Sequence, residues 1–156
     1  MRNRQKGFSL IELLIVVAII LIIAAIAIPN LLRSRMAANE ASAVGSLRTI
    51  NTACVTYSTT YGVGFPSALT SLGGTGAVSS TAAQLIDAVL AAGSKSGYTF
   101  TYTAGAAAGG VIPTYAVNAD PITPGQTGLR YFFTDQSGVI RFNTSAQASA
   151  SDSPLQ

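Results

Sequence analysis

The hydrophobic pattern divides the chain into three parts, of which the first is an apolar run at residues 8–28. The only polar side chains in this run are Ser9 and Glu12. At a rise of about 1.5 Å per residue, the run predicts a helix of roughly 31 Å, which is enough to cross a hydrocarbon core of about 30 Å. A charge at mid-membrane costs about 2.5–3.5 kcal/mol on insertion scales and less toward an interface. Glu12 therefore needs a functional reason to be there.

The second part, residues 30–61, predicts an amphipathic continuation of the helix. Pro29 lacks an N–H and crowds the preceding turn, so a kink or a local break is expected between the two halves. Gly62, Gly64 and Pro66 predict the end of the helix. The apolar residues recur at alternating steps of four and three, which places them on one helix face. These residues are Ala43, Leu47, Ile50, Cys54, Tyr57 and Tyr61, whereas polar residues such as Glu40 fall mostly elsewhere.

In the third part the hydrophobic pattern changes to a period of two residues, which is typical of β-strands. Residues 62–97 are rich in glycine, serine, threonine and alanine and predict a loop with a short helix at 82–92. Residues 98–144 predict short strands that are close enough in sequence to form an antiparallel sheet. Residues 145–156 are rich in serine and alanine, and we expect a flexible tail. The predicted fold class is α+β, a long N-terminal helix packed against a small antiparallel sheet.

The net charge of +3 arises at the start of the chain. Arg2, Arg4 and Lys6 account for three of the nine basic residues, which leaves six basic side chains against six acidic ones. Basic residues ahead of an apolar run are typical of an end that stays in the cytoplasm, although Arg33 and Arg35 beyond the run reduce the asymmetry. No basic patch predicts a specific nucleic-acid partner.

The sequence carries no constellation of residues for catalysis or metal binding. It has no histidine, a single cysteine, no CxxC pair and no phosphate-binding glycine loop. We therefore predict a protein that is not an enzyme and holds no cofactor. Cys54 lies on the apolar helix face and is expected to be a buried thiol. Asp120, Asp135 and Asp152 are isolated acids, which form turns more often than calcium sites.

The N-terminal segment resembles the signal and first helix of type IV pilins and of the pseudopilins of type II secretion. The matching features are a short basic leader, Gly7-Phe8, Glu12 five residues into the mature chain, and Pro29 at the end of the apolar run. The resemblance implies a pilin fold. It also implies that a prepilin peptidase removes residues 1–7 and methylates the new amino terminus of Phe8.

In that family, Glu12 would pair with the Phe8 amine of a neighbouring subunit and set the axial register of a filament of identical subunits. A contact with the Phe8 amine of its own chain is the simpler alternative. Two features depart from the family pattern. One cysteine cannot form the C-terminal disulfide loop of many pilins. Leu21 stands where similar pilins often have glycine, so any helix break in the filament is expected only at residues 24–29.

The preferred interpretation is a type IV pilin of a surface pilus that serves adhesion, motility or DNA uptake. The main alternative is a major pseudopilin of a type II secretion system. Lesser alternatives are an uncleaved membrane anchor and a secreted soluble binding domain released at Ala25-Ile26-Ala27, a small-x-small cleavage pattern. The resemblance implies prepilin peptidase, inner-membrane lipid before assembly, identical subunits and, indirectly, the assembly ATPase and platform as partners. The chain would move from the bacterial inner membrane to an extracellular pilus or a periplasmic pseudopilus.

Overall fold

The structure, a computed structural model, describes residues 7–155, so the basic residues of the predicted leader lie outside the described residues. Helix α1 spans Leu10–Tyr61. It is followed by a 3₁₀ turn at Leu69–Leu72 and by a short helix, α2, at Ala88–Ala91. The strands that follow are β1 (Ser94–Lys95), β2 (Tyr98–Ala104), β3 (Tyr115–Pro121), β4 (Tyr131–Asp135), β5 (Arg141–Asn143) and β6 (Ser153–Pro154).

The chain divides into two units between Arg35 and Met36. In the first unit the large apolar side chains of α1 are exposed, for example 75% at Leu10 and 58% at Ile20. By length and composition, α1 could cross a membrane here. The backbone is helical at Pro29 and on both sides of it, so the predicted local break is absent between the described residues Leu10 and Tyr61. The kink at Pro29 stays a prediction.

The second unit contains the antiparallel sheet, in which the strands follow one another in chain order. In β3 alternate residues from Tyr115 to Pro121 are buried, as a sheet with one covered face requires. The part of α1 after Met36 covers that face. The predicted α+β fold class is confirmed. Side chains with no exposed surface from both elements meet in the core, among them Leu47, Ile50, Cys54, Tyr98, Val117 and Phe132.

The helix predicted at 82–92 is shorter in the structure and occupies only Ala88–Ala91. The Asp87 carboxylate accepts the Leu90 N–H at 3.0 Å, which is the N-cap interaction that starts a helix. Before that cap, the backbone bonds to the 3₁₀ turn instead, with Ala83 N–H donating to Ser71 O at 2.9 Å. The small and apolar residues from 82 onward therefore predicted a helix start that is too early, since the helix begins at Ala88.

The segment predicted as a flexible tail at 145–156 is attached to the sheet. Its residues Ser153–Pro154 pair with β5, and the Leu155 N–H donates to Ile140 O at 2.7 Å. Ala148 is buried, and its carbonyl accepts a hydrogen bond of 2.7 Å from the Asn118 side chain. The prediction was wrong because the anchoring groups are mainly backbone atoms, which composition does not reveal.

A partly buried ion pair joins α1 to the segment before β4. One Glu40 oxygen lies 2.7 Å from Arg130 Nε, and the other accepts the N–H groups of Leu129 at 2.8 Å and Arg130 at 3.2 Å. The side chain of Glu40 is 9% exposed and that of Arg130 is 37% exposed. Glu40 was assigned to the polar side of the helix, and its burial is a correction to that assignment.

Cys54 is fully buried, as predicted, and burial raises the pKa of its thiol to about 12. Because the thiolate is the reactive form of cysteine, we expect almost no reaction with a maleimide in the native protein at neutral pH. Complete reaction should follow denaturation in urea. Intact-mass spectrometry after a short pulse of reagent measures this, since a mass increase reports the only cysteine. Rapid labelling of the native chain would contradict the packing of α1 on the sheet.

Candidate functional site

The predicted processing site lies immediately before α1. Gly7, Phe8 and Ser9 are not helical, and the helix begins at Leu10. The peptide bond between Gly7 and Phe8 therefore lies outside the hydrogen-bonded turns of the helix. The side chain of Phe8 is 85% exposed. These positions leave the backbone on both sides of the bond free of helical hydrogen bonds, which suits recognition by a protease.

Glu12 lies in the first turn of α1. Its Oε2 accepts the backbone N–H of Ser9 at 2.9 Å, and the Leu13 N–H donates to Ser9 O at 3.2 Å. The carboxylate thus satisfies a donor at the helix start, where a negative charge also interacts favourably with the helix dipole. Within residues 7–155, Oε1 of Glu12 makes no hydrogen bond. It can accept a further donor while Oε2 remains bound to Ser9.

The role of Ser9 was missed in the sequence. The sequence suggests a contact between Glu12 and the Phe8 amine of the same chain. The donor observed in the structure is instead the backbone N–H of Ser9. The signal was present, because Ser9-Leu10-Ile11-Glu12 has the S-x-x-E spacing of a capping box ahead of an apolar run. Only the glutamate half of that box is formed in the structure.

The surface around Glu12 is apolar and uncovered. Large side chains that follow it along the helix remain about half exposed or more, among them Leu13, Leu14, Ile15, Ile19, Ile20 and Leu21. Soluble monomers rarely expose a contiguous apolar patch of more than a few hundred Å². Exposed apolar surface of this extent in the first unit is typical of a segment that contacts lipid or other protein chains. Glu12 is the only acidic group among the described residues of this unit.

The three isolated acids are not gathered into a group of potential metal ligands within residues 7–155. The described part of the chain contains no cluster of three or more histidine, cysteine or acidic residues. Asp120 accepts from Gln147 Nε2 at 2.6 Å, and burial raises its pKa. Asp152 accepts the Ser149 N–H at 2.7 Å, which lowers its pKa. Asp135 accepts the Ser137 N–H in the turn between β4 and β5.

Comparison with known proteins supports the N-terminal resemblance. Residues 2–28 match the family described as the prokaryotic N-terminal methylation motif. The type IV wide pilus major component PilA4 of Thermus thermophilus is 68% identical over 40 residues, which cover 26% of this chain and 30% of PilA4. The type IV major pilin PilA of Myxococcus xanthus is 50% identical over 50 residues, or 32% of this chain and 23% of that protein. No solved structure shows a significant match.

A type IV major fimbrial protein, FimA of Dichelobacter nodosus, is 50% identical over 58 residues, which cover 35% of this chain and 37% of FimA. The class of protein is thus one with an N-terminal methylation motif at the start of an exposed apolar helix. The matched part of this chain, 26% to 35% of its length, is similar to type IV pilus and fimbrial components. The matches extend over only 23% to 37% of the length of these relatives.

Proposed function

We propose that this chain is a type IV pilin, a structural subunit that is processed between Gly7 and Phe8 and assembled into a surface pilus. The observation that carries the proposal is Glu12. It is a lone carboxylate in an uncovered apolar helix, it keeps one oxygen free of hydrogen bonds to the described residues, and it follows a non-helical Gly7-Phe8 bond. The match to the N-terminal methylation motif supports the same assignment.

Processing would change the charge at the start of the helix. While Gly7 is attached, the Phe8 nitrogen belongs to an uncharged amide. Cleavage turns it into an amine, which is protonated at neutral pH, and removes the basic residues of the leader. Methylation of that amine keeps the positive charge. The mature chain thereby gains a cation near Glu12 that the precursor lacks.

Assembly would then pair Glu12 of one subunit with the Phe8 amine of a neighbour. Oε1 of Glu12 can accept a hydrogen bond from this amine while Oε2 keeps its hydrogen bond from the Ser9 N–H. The pair lowers the cost of burying both charges among apolar helices. A neighbour that slips along the axis would leave a charge unpaired, so the pair would also set the register of the filament. Identical subunits are the main partners in this proposal.

The precursor would lie in the bacterial inner membrane, where lipid covers the exposed apolar side chains of α1. Prepilin peptidase and, indirectly, the assembly ATPase and platform act on the chain before it reaches the extracellular pilus. Pro29 would allow a kink in α1 within the filament, since proline cannot donate the usual helical hydrogen bond. The pilus would serve adhesion, motility or DNA uptake.

A major pseudopilin of a type II secretion system is the second candidate. It is favoured by the single, buried Cys54, which leaves the chain without a C-terminal disulfide loop. Neighbouring genes distinguish the two candidates, because a retraction ATPase favours a pilus and a secretin favours a pseudopilus. A secreted domain is distinguished by N-terminal sequencing, which would give Ile28 instead of Phe8 as the first residue.

Substitution of Gly7 by leucine tests the processing site. We expect the leader to stay attached, because a peptidase that approaches the backbone closely at a residue without Cβ would be blocked by the new side chain. Intact-mass spectrometry of membrane extracts would show the uncut chain. Gln5→Leu, a similar change two residues earlier, should be processed normally. A Gly7→Leu chain that begins at N-methylated Phe8 would contradict the assignment.

A further inference from the structure

The face of the sheet that points away from the core carries an open groove of about 330 Å³. Ala116 in β3 lies between Thr103 in β2 and Asp135 in β4, which are its partners in the two ladders. Directly opposed residues of antiparallel strands point to the same face, so these three side chains share the groove. The aromatic and polar residues that line it are Thr103, Thr114, Tyr115, Phe133, Asp135 and Gln136.

Small residues keep this groove open. Ala116 offers only a methyl group where the neighbouring strands carry larger side chains. Gly105 has no side chain, and a Cβ built at this position would overlap the Thr114 hydroxyl. A larger residue at either position would fill the space or displace Thr114. The groove is thus a consequence of residue choice at Ala116 within β3 and at Gly105 just after β2.

Asp135 gives the groove a negative charge that nothing in residues 7–155 neutralises. Its Oδ1 accepts the Ser137 N–H at 2.9 Å, and no lysine or arginine of the described chain lies within 4.0 Å of its carboxylate. In the strand register, the cationic residue closest to Asp135 is Arg141, which pairs with Phe133. Arg141 Nη1 donates a hydrogen bond to the Asp152 carbonyl oxygen at 2.8 Å and not to Asp135. An organic cation would therefore be favoured in the groove over an anion.

We propose that this groove binds a guanidinium group. A guanidinium pairs with a carboxylate through several N–H donors and stacks on an aromatic face, and the groove supplies Asp135 and the half-buried ring of Phe133 for these contacts. The hydroxyl groups of Thr103 and Thr114 and the amide oxygen of Gln136 are acceptors for the remaining donors. An ammonium group would use the charge but not the planar stacking.

The guanidinium can come from a free small molecule or from an arginine of a second copy of this chain. Arg48 is the candidate within the sheet-containing unit, because its side chain is exposed and forms no hydrogen bond or ion pair with the described residues. The second source rests on the proposed function, since it requires neighbouring subunits. The first source does not.

Binding is tested on the full chain, unassembled in detergent micelles, with N-acetylarginine amide as the probe. We expect saturable NMR shifts at Asp135 and its neighbours, and none with N-acetylcitrulline amide, which has nearly the same shape and no charge. Asp135→Asn should weaken binding by about tenfold or more, because asparagine keeps the acceptor for Ser137 but loses the charge. Asp87→Asn, in the exposed pair with Lys95, is the matched control and should bind as the natural chain does.

Ala116→Leu provides an independent variant, since it should abolish binding by filling the groove while Asp135 stays in place. Equal binding of the citrulline compound, or unchanged binding by Asp135→Asn, would overturn the proposal. Filament assembly by charge-reversed variants then tests whether Arg48 of a second copy supplies the guanidinium group. A loss of filaments in Arg48→Glu that Asp135→Arg restores assigns the guanidinium to Arg48 of a second copy, and an unaffected Arg48→Glu excludes Arg48 as its source. Binding is measured without assembly, so a failure of the filament proposal would be seen separately.

Discussion

Replacement of Glu40 by alanine should destabilise the sheet-containing unit by about 2–4 kcal/mol. The substitution removes the acceptor of three hydrogen bonds, to the N–H groups of Leu129 and Arg130 and to Arg130 Nε. The two backbone donors lie in a part-buried region and would be left without a partner. The guanidinium of Arg130 is partly exposed and can turn to water, which is why the expected loss is below that of a fully buried pair.

Urea unfolding of the full chain in detergent measures this loss. All six tyrosines lie in the sheet-containing unit, so near-UV circular dichroism follows that unit and not the apolar helix. Glu40→Gln should lose less than Glu40→Ala, since the amide oxygen can still accept the two backbone N–H groups. Lys95→Ala, which breaks the exposed pair with Asp87, is the control and should cost under about 1 kcal/mol. An equal loss in Lys95→Ala and Glu40→Ala would show that burial of Glu40 contributes nothing.

The contrast between Glu12 and Glu40 shows what the sequence could reveal. Glu12 stands out in the sequence because every residue from Leu13 to Ile28 is apolar, so a local pattern was sufficient. The burial of Glu40 depends on Arg130, a residue 90 positions away, and on the loop that precedes β4. The steps of three and four that define the apolar stripe also place Glu40 on it, three residues before Ala43, but they cannot show which loop will cover Glu40. Long-range partners of this kind are beyond a single sequence.

The sheet was predictable for a similar reason. Aromatic and threonine residues alternate within the short segment 98–103, and such an alternation can be seen without knowing the strand's partners. The final strand was not, since β6 is formed by two residues whose pairing depends on β5 being in place. The groove at Ala116 also escapes the sequence. It requires the register that sets Thr103 and Asp135 on either side of Ala116, and that register is a property of three strands together.

Glu12→Ala should leave processing and membrane insertion intact and abolish most pili. The processing bond lies outside the helix and the apolar run is unchanged, so neither step requires the carboxylate. In the filament, the Phe8 amine of each neighbour would lose its counter-charge among apolar helices. Removal of one partner of a buried pair costs about 3–5 kcal/mol, which is more than a hundredfold in an association constant. Counting of sheared pili by electron microscopy, with mass spectrometry of the processed subunit, measures both effects.

Two further variants separate the charge of Glu12 from its contact with Ser9. Glu12→Gln keeps an oxygen that can accept the Ser9 N–H but removes the charge, and it should lose pili as Glu12→Ala does. Ser9→Ala keeps the backbone N–H that Glu12 accepts and removes only the hydroxyl, so it should assemble normally. If Glu12→Gln formed pili in normal number while Glu12→Ala did not, the helix-start hydrogen bond would be the essential feature and the charge pair between subunits would be wrong. Pili in normal number from both variants would remove Glu12 from assembly altogether.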